Sequence, residues 1–146
     1  MHRTSAFWRI AGALALGLGV AGCASVEAPG PGLGAGHHCV DDSLECVTRR
    51  QATLKAMMAD SSRGWVRQPA TPHAYAAGVR LFAFRGKKKE LTCEELQHGR
   101  READAAPGAL RGAAGLTPAQ TSRGTMLAAE VAKELGLEMA RRCKRE

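Results

Sequence analysis

Three threonines constrain the fold most, because each of them opens a stretch with the signals of an α-helix. Thr71 and Thr117 are each followed by proline, and Thr92 is followed three residues later by Glu95. When threonine is the N-cap, the proline after it occupies the first helical position, where the missing N–H of proline costs nothing. The pattern Thr-x-x-Glu is a capping box, which also marks a helix start. A fourth helix start is predicted at Asp42-Ser43. The sequence therefore predicts an all-α domain of about four helices.

The predicted helices cover residues 42–61, 72–85, 93–106 and 117–143. Their apolar faces show helical spacing, in four sets: Leu44, Val47, Leu54 and Met58; Tyr75, Val79 and Phe82, widened by Leu81 and Phe84; Leu96, Gly99 and Ala103; and Leu127, Val131, Leu135, Met139 and Cys143. The third helix is expected to stop at Pro107-Gly108. Residues 79–84 would also suit a β-strand, but the alanines before them favour a helix.

Short or moderate links between four helices favour an up-and-down bundle. In that arrangement all four cysteines after the N-terminal segment lie at one end of the bundle: Cys39, Cys46, Cys93 and Cys143. Four cysteines allow three pairings, and this topology favours Cys39–Cys46 and Cys93–Cys143. A redox dithiol is the alternative, although the C-x-x-C spacing typical of such sites is not found among them. Disulfides would stabilise a domain too small to bury a large core.

The first 22 residues have the pattern of an export signal. Arg3 and Arg9 accompany an uncharged apolar run over residues 10–21, which is shorter than the ~20 residues of a membrane-spanning helix. The run ends in Val20-Ala21-Gly22-Cys23, which resembles the signal of bacterial lipoproteins. The resemblance implies cleavage before Cys23 and attachment of acyl chains such as palmitate to its thiol. A secretory signal with an Ala-x-Ala-like cleavage site and an incidental cysteine is the alternative.

This resemblance also implies a location in the cell envelope. Ala24 stands where an aspartate would retain the protein at the inner membrane, so a periplasm-facing anchor in the outer membrane is expected. Residues 23–38 are rich in glycine, alanine and proline, which predicts a flexible tether before a helical domain at 39–146. As a whole, the chain resembles small proteobacterial envelope lipoproteins to which no activity is assigned.

His37 and His38 stand beside Cys39 and are the best candidates for metal ligands. A structural zinc site needs four ligands, and a disulfide at Cys39 would leave only two imidazoles here, so no metal or cofactor is expected. The alternative function that these histidines suggest is a metal-binding periplasmic carrier. No Ser/His/Asp order, phosphate loop or nucleophile elbow appears in the sequence, so the protein is not expected to be an enzyme. An envelope hydrolase remains the second alternative.

The charge is uneven along the chain, which carries 21 basic and 14 acidic residues. Two basic clusters are expected at the cysteine end of the bundle, near the tether: Arg85, Lys87, Lys88 and Lys89, and Arg141, Arg142, Lys144 and Arg145. They suggest contact with anionic lipid headgroups or another envelope polyanion. A solvated loop and a basic helix end that complements the helix dipole are the alternative. Export argues against nucleic acid, and no protein partner is indicated. The predicted role is structural or interactive.

Overall fold

A computed structural model describes residues 35–143, all of whose regular elements are helical. The α-helices are α1 (Leu44–Ala59), α2 (Pro72–Ala77), α3 (Val79–Lys87), α4 (Cys93–Leu110) and α5 (Pro118–Arg142), with 3₁₀ helices at Ala35–His38 and Gly64–Arg67. The all-α prediction is confirmed. None of the described helices is both long and apolar enough to cross a bilayer. The predicted signal at 1–22, the lipidation site Cys23, and the basic residues Lys144 and Arg145 lie outside the described residues.

The predicted helix starts are confirmed by their caps. The Thr71 hydroxyl accepts a hydrogen bond from the backbone N–H of Ala74 at 3.2 Å. Thr92 and Thr117 both form capping boxes, in which the hydroxyl accepts from the third helical N–H and the side chain of that third residue accepts from the threonine N–H. In α1 the side chain of Ser43 is the cap. Local sequence therefore decides where four of the five helices begin.

The second predicted helix is divided into α2 and α3 at Gly78. This glycine has a φ of 74°, and a Cβ placed on it would lie 2.9 Å from Leu127 Cδ2. A residue in the left-handed region interrupts the helix and changes the direction in which the next side chains point. As a result Phe82, which was expected on the buried face, is 45% exposed, while Arg80 is only 1% exposed. The helical interpretation of residues 79–84 is confirmed, as is the burial of Tyr75, Val79, Leu81 and Phe84, but the placement of Phe82 on the buried face is wrong.

Helix α4 does not stop at Pro107 and continues to Leu110. Proline inside a helix lacks the backbone N–H and costs about 3 kcal/mol. Here it lies in the last turn of α4. Ala106 before it and Leu110 after it are both buried in the core. Burial of a leucine side chain contributes roughly 1.5–3 kcal/mol, which offsets much of that cost. The predicted helix end is therefore wrong because tertiary packing outweighs the local signal.

Helix α1 buries a different stripe from the predicted one. Leu44 is 83% exposed, whereas Thr53 and Met57 are fully buried. The buried stripe is set by the first 3₁₀ helix, in which the backbone N–H of Gly36 donates to Thr53 Oγ1 at 3.1 Å. A Cβ at Gly36 would lie 2.5 Å from the same oxygen, so only glycine fits this contact. Residues 35–38 thus pack on α1 and belong to the folded domain, although their composition predicts the end of a flexible tether.

The order of the helices differs from a simple up-and-down bundle at the first connection. Helices α1 and α3 run in the same direction, since Val47 and Val79 near their starts line one pocket and Met58 and Gly86 near their ends are in contact. Residues 60–71, which include the second 3₁₀ helix, connect the end of α1 to the start of α2 and run in the opposite direction to α1 and α3. Helices α4 and α5 are antiparallel and pack closely, with Leu110 of α4 against Gly124 of α5.

The two disulfides are Cys39–Cys46 and Cys93–Cys143, as the topology argument predicted. They do not share one end of the domain. Val40 accepts a hydrogen bond from Gln120 Nε2 in the first turn of α5, at 3.1 Å, whereas Cys143 directly follows its last turn. At 1.5 Å per residue, the 25 residues of α5 separate the two ends by about 35 Å. We call these the Cys39 end and the Cys143 end. The prediction that all four cysteines meet at one end is wrong because α1 and α3 are parallel.

Candidate functional site

The structure brings the two predicted basic clusters together at the Cys143 end. Arg142 donates from Nη1 to the carbonyl oxygens of Lys88, at 3.1 Å, and Lys89, at 2.8 Å. Its Nη2 donates to the carbonyl of Leu91 at 2.9 Å. We call the surface formed by residues 85–89 and 141–142 the basic surface. It lies at the opposite end of α5 from the Cys39–Cys46 disulfide, so the expectation that it shares one end of the domain with all four cysteines is wrong.

Most side chains of the basic surface are paired with carboxylates of the same domain. The pairs are Arg85–Glu134 at 2.6 Å, Lys87–Glu90 at 2.7 Å, Arg141–Glu138 at 2.6 Å, Arg142–Glu138 at 3.4 Å, and Lys88–Glu134. The hydrogen bond from Lys88 lowers the pKa of the Glu134 carboxyl, and that from Arg141 lowers the pKa of Glu138. The two pairs with Glu134 join α5 to α3 and its C-terminal end, whereas the others are local. Binding of the basic surface to anionic partners stays a prediction.

The two candidate metal ligands occupy different environments. His37 is half-buried, and its Nε2 is buried without a hydrogen-bond partner among the described residues. Burial, and then the charge of Arg80, lowers the pKa of His37. His38 is exposed, and its ring centroid lies 6.4 Å from that of His73. The Cys39 sulfur is in a disulfide, and residues 35–143 hold no group of three histidine, cysteine or acidic side chains placed to bind a metal.

A buried ion pair that the sequence analysis missed lies in the centre of the domain. Arg80 donates from Nη2 to Glu102 Oε2 at 2.7 Å, and its Nε donates to the other carboxylate oxygen. The same guanidinium donates to the carbonyls of Trp65 and Val66. Its central carbon also lies 5.9 Å from the Trp65 ring centroid and 5.5 Å from that of Phe84. A buried charge is tolerated when it is paired and fully hydrogen-bonded, and Arg80 meets that requirement.

The sequence does contain a signal for this pair. Arg80 is the single charged residue in the otherwise apolar run over residues 79–84, and Glu102 directly precedes Ala103 on the inner face of α4. A charged residue within an apolar stretch is seldom buried unless a partner of opposite charge is buried with it. Helical periodicity alone does not show which carboxylate on another helix is that partner.

A cleft of about 430 Å³ opens beside the buried pair. Glu102 lines it together with Tyr75 and His98, whose Nε2 lies 3.7 Å from Glu102 Oε2. Burial, and then the charge of Glu102, raises the pKa of Tyr75, so its hydroxyl is protonated and can donate a hydrogen bond. The polar lining is completed by Arg67, Gln68 and Arg101. The two arginines are the cations of the cleft. Neither guanidinium makes a hydrogen bond or ion pair with any other residue in the 35–143 range.

A second cleft of about 430 Å³ lies between α4 and α5 and differs in its electrostatics. Its arginine, Arg100, is paired with Asp104 at 3.6 Å, and its other basic residue is Lys133. The cleft beside the buried pair is thus distinguished by unpaired guanidinium groups, whereas the two volumes are alike. Comparison of the chain with protein-family models, with curated proteins and with solved structures finds no match.

Proposed function

We propose that this protein is an exported lipoprotein of the bacterial envelope, anchored through Cys23 and carrying a rigid helical domain with a structural or interaction role. The observation that carries the proposal is the combination of Val20-Ala21-Gly22-Cys23 with two disulfides in the domain that follows. Disulfides persist in oxidising compartments such as the periplasm and are rare in the cytosol. The signal and the disulfides therefore support the same destination from independent parts of the chain.

The proposed orientation follows from where the folded part begins. Ala35 starts the first 3₁₀ helix, which contacts α1 and α2 at the Cys39 end. Only 11 residues lie between Cys23 and Ala35, a number that corresponds to about 20 Å for a flexible chain. The Cys39 end is therefore proposed to face the membrane, and the Cys143 end to face the periplasm.

The proposed interaction role rests on rigidity. The disulfide Cys93–Cys143 joins α4 to the end of α5, and the Arg80–Glu102 pair joins α3 to α4. A surface held in one conformation loses little entropy when it binds a partner. These crosslinks therefore support a binding module over a flexible linker protein.

Acylation is tested by expressing the full chain in a diderm bacterial host fed with an alkyne-bearing palmitate. We expect the wild-type protein to be labelled, to fractionate with membranes, and to have an intact mass that lacks residues 1–22 and includes the acyl chains. Cys23→Ser should remove the label and the membrane association. The double variant Cys39→Ser/Cys46→Ser is the matched control, because it loses cysteines elsewhere and should keep the label. A wild-type product that begins at Met1 and carries no label would contradict the proposal.

A further inference from the structure

The cleft beside the Arg80–Glu102 pair has the features of a binding site for an organic anion. Six of the basic side chains in residues 35–143 have no carboxylate partner in the described part of the chain: Lys55, Arg67, Lys89, Arg101, Arg111 and Lys133. Two of these, Arg67 and Arg101, line one cleft together. Planar guanidinium groups are the donors best matched to carboxylate and phosphate oxygens.

The charge of Glu102, which also lines the cleft, is already balanced. Arg80 donates to both of its carboxylate oxygens from behind, within the core. Arg67 and Arg101 therefore leave the cleft with a positive charge in excess. This excess charge attracts the anionic group of a ligand, and guanidinium groups match both carboxylate and phosphate oxygens.

The other walls of the cleft indicate that the ligand carries an apolar body. Pro69 and Ala70 line one part of it, and the ring of Tyr75 lines another. Sites for small organic ligands combine apolar and aromatic walls with a few convergent polar groups. The Tyr75 hydroxyl supplies a further neutral donor.

We propose that this cleft binds the carboxylate or phosphate group of a small organic anion, with Arg67 and Arg101 as the anion-binding groups and Tyr75, Pro69 and Ala70 as the apolar wall. The proposal does not depend on the location or the acylation of the protein, because binding is measured on the purified chain. Failure of the lipidation test would leave it unaffected, and the reverse also holds.

The test uses the full chain in non-ionic detergent micelles, titrated with benzoate and with benzamide, which has nearly the same shape and no charge. We expect benzoate to shift the NMR signals of Ala70, Tyr75 and His98 in a saturable manner and benzamide to bind at least about tenfold more weakly, the value of one or two charged hydrogen bonds. Equal binding of the two probes would overturn the proposal.

Variants locate the site. Arg67→Gln and Arg101→Gln should each weaken benzoate binding about tenfold, and their melting temperature should stay within about 2 °C of the wild type, because both side chains are exposed and unbonded. Lys133→Gln removes the same charge at the second cleft, which has the same volume, and should change the affinity less than about twofold. If Lys133→Gln weakens binding as much as Arg101→Gln does, the effect is one of net charge and the assignment fails.

Two further probes identify the ligand class. Acetate, which lacks the apolar body, should bind at least about fivefold more weakly than benzoate, since contact with an apolar wall is lost. Phenyl phosphate carries a phosphate on the same ring, and Arg101→Gln should weaken its binding as well, because guanidinium groups match both anions. Equal binding of acetate would contradict an organic ligand, and phenyl phosphate binding that is insensitive to Arg101→Gln would contradict the anion-binding role of Arg101.

Discussion

The two ends of α5 are fixed in different ways. At the Cys143 end, a disulfide joins residues 50 positions apart in sequence, and Arg142 binds backbone carbonyls of the α3–α4 link. At the Cys39 end, the disulfide joins residues only seven positions apart, and single hydrogen bonds attach the first 3₁₀ helix to the rest, such as that from Gly36 to Thr53. Both ends also make contacts between distant segments, such as Gln120 with Val40 and Arg123 with Asp42 at the Cys39 end. The ends differ in their disulfide, which joins distant segments at the Cys143 end and a local loop at the Cys39 end.

The two disulfides are expected to affect stability differently, because they close loops of very different length. Crosslinks between distant segments restrict the unfolded chain most, so they stabilise the whole domain. Local crosslinks leave a segment that can open without global unfolding. We therefore expect the segment nearest to the proposed anchor to open at a lower free energy than α4 and α5 do.

The largest expected effect comes from removing each disulfide in turn. Cys93→Ser/Cys143→Ser should reduce the free energy of unfolding by about 4 kcal/mol, and Cys39→Ser/Cys46→Ser by about 2.5 kcal/mol, because the loss grows with the length of the closed loop. Urea unfolding of the oxidised proteins measures both values. Equal losses, or a larger loss at the Cys39 end, would contradict the comparison.

A smaller effect is expected from Gly99→Ala in α4, in the half of the helix nearer the Cys143 end. A Cβ there would lie 2.5 Å from Phe84 Cδ1, so the Phe84 ring must move, and overpacking of this kind costs about 2 kcal/mol. Gly108→Ala is the matched control in the same helix, because nothing lies within 4 Å of its Cβ position. That variant should gain about 0.5 kcal/mol from helix propensity. Urea unfolding should give opposite signs for the two substitutions.

At the Cys39 end, Thr53→Val should cost about 1.5 kcal/mol. It keeps the shape of the side chain but leaves the buried N–H of Gly36 without an acceptor. Thr48→Val is the control, since the Thr48 hydroxyl is exposed and donates only to the Leu44 carbonyl of its own helix. Hydrogen exchange should show faster exchange at Gly36 in the Thr53 variant, with Leu96 in the core unchanged. Loss of protection at both amides would mean that this segment does not open separately.

The smallest expected effect is a dependence of stability on pH at the Cys39 end. Because the pKa of His37 is lowered from its ordinary value of 6.5 by burial and by Arg80, the unfolded chain takes up a proton more readily than the folded one. The contribution of neutral His37 to the free energy of unfolding is therefore fully present above pH 6.5. It is lost as the pH falls from 6.5 through the lower pKa of His37 in the folded state. Urea unfolding at pH 7.5 and 5.5 should show this loss in the wild type and less of it in His37→Gln. His38→Gln, which changes an exposed neighbour, should retain the wild-type dependence.

Local signals predicted the helices well and their packing less well. The threonine caps place the starts of α2, α4 and α5 correctly, since a cap is satisfied within one turn of the chain. The end of α4 and the break at Gly78 were missed, because both depend on what the helix packs against. The same limit applies to the candidate cleft, whose arginines come from the second 3₁₀ helix and from α4.

The helical class of the domain and the positions of four helix caps follow from the sequence alone, which also favours the observed cysteine pairing without deciding it. A helix cap is satisfied within one turn of the chain, and four cysteines allow only three pairings. Tertiary packing sets the direction of α3 relative to α1, the burial of Arg80 against Glu102 and the pairing of the basic surface with carboxylates. The first two depend on residues 60–71, where no periodic pattern sets a direction. In that segment Trp65 and Val66 are buried in the core, and their carbonyls accept hydrogen bonds from Arg80.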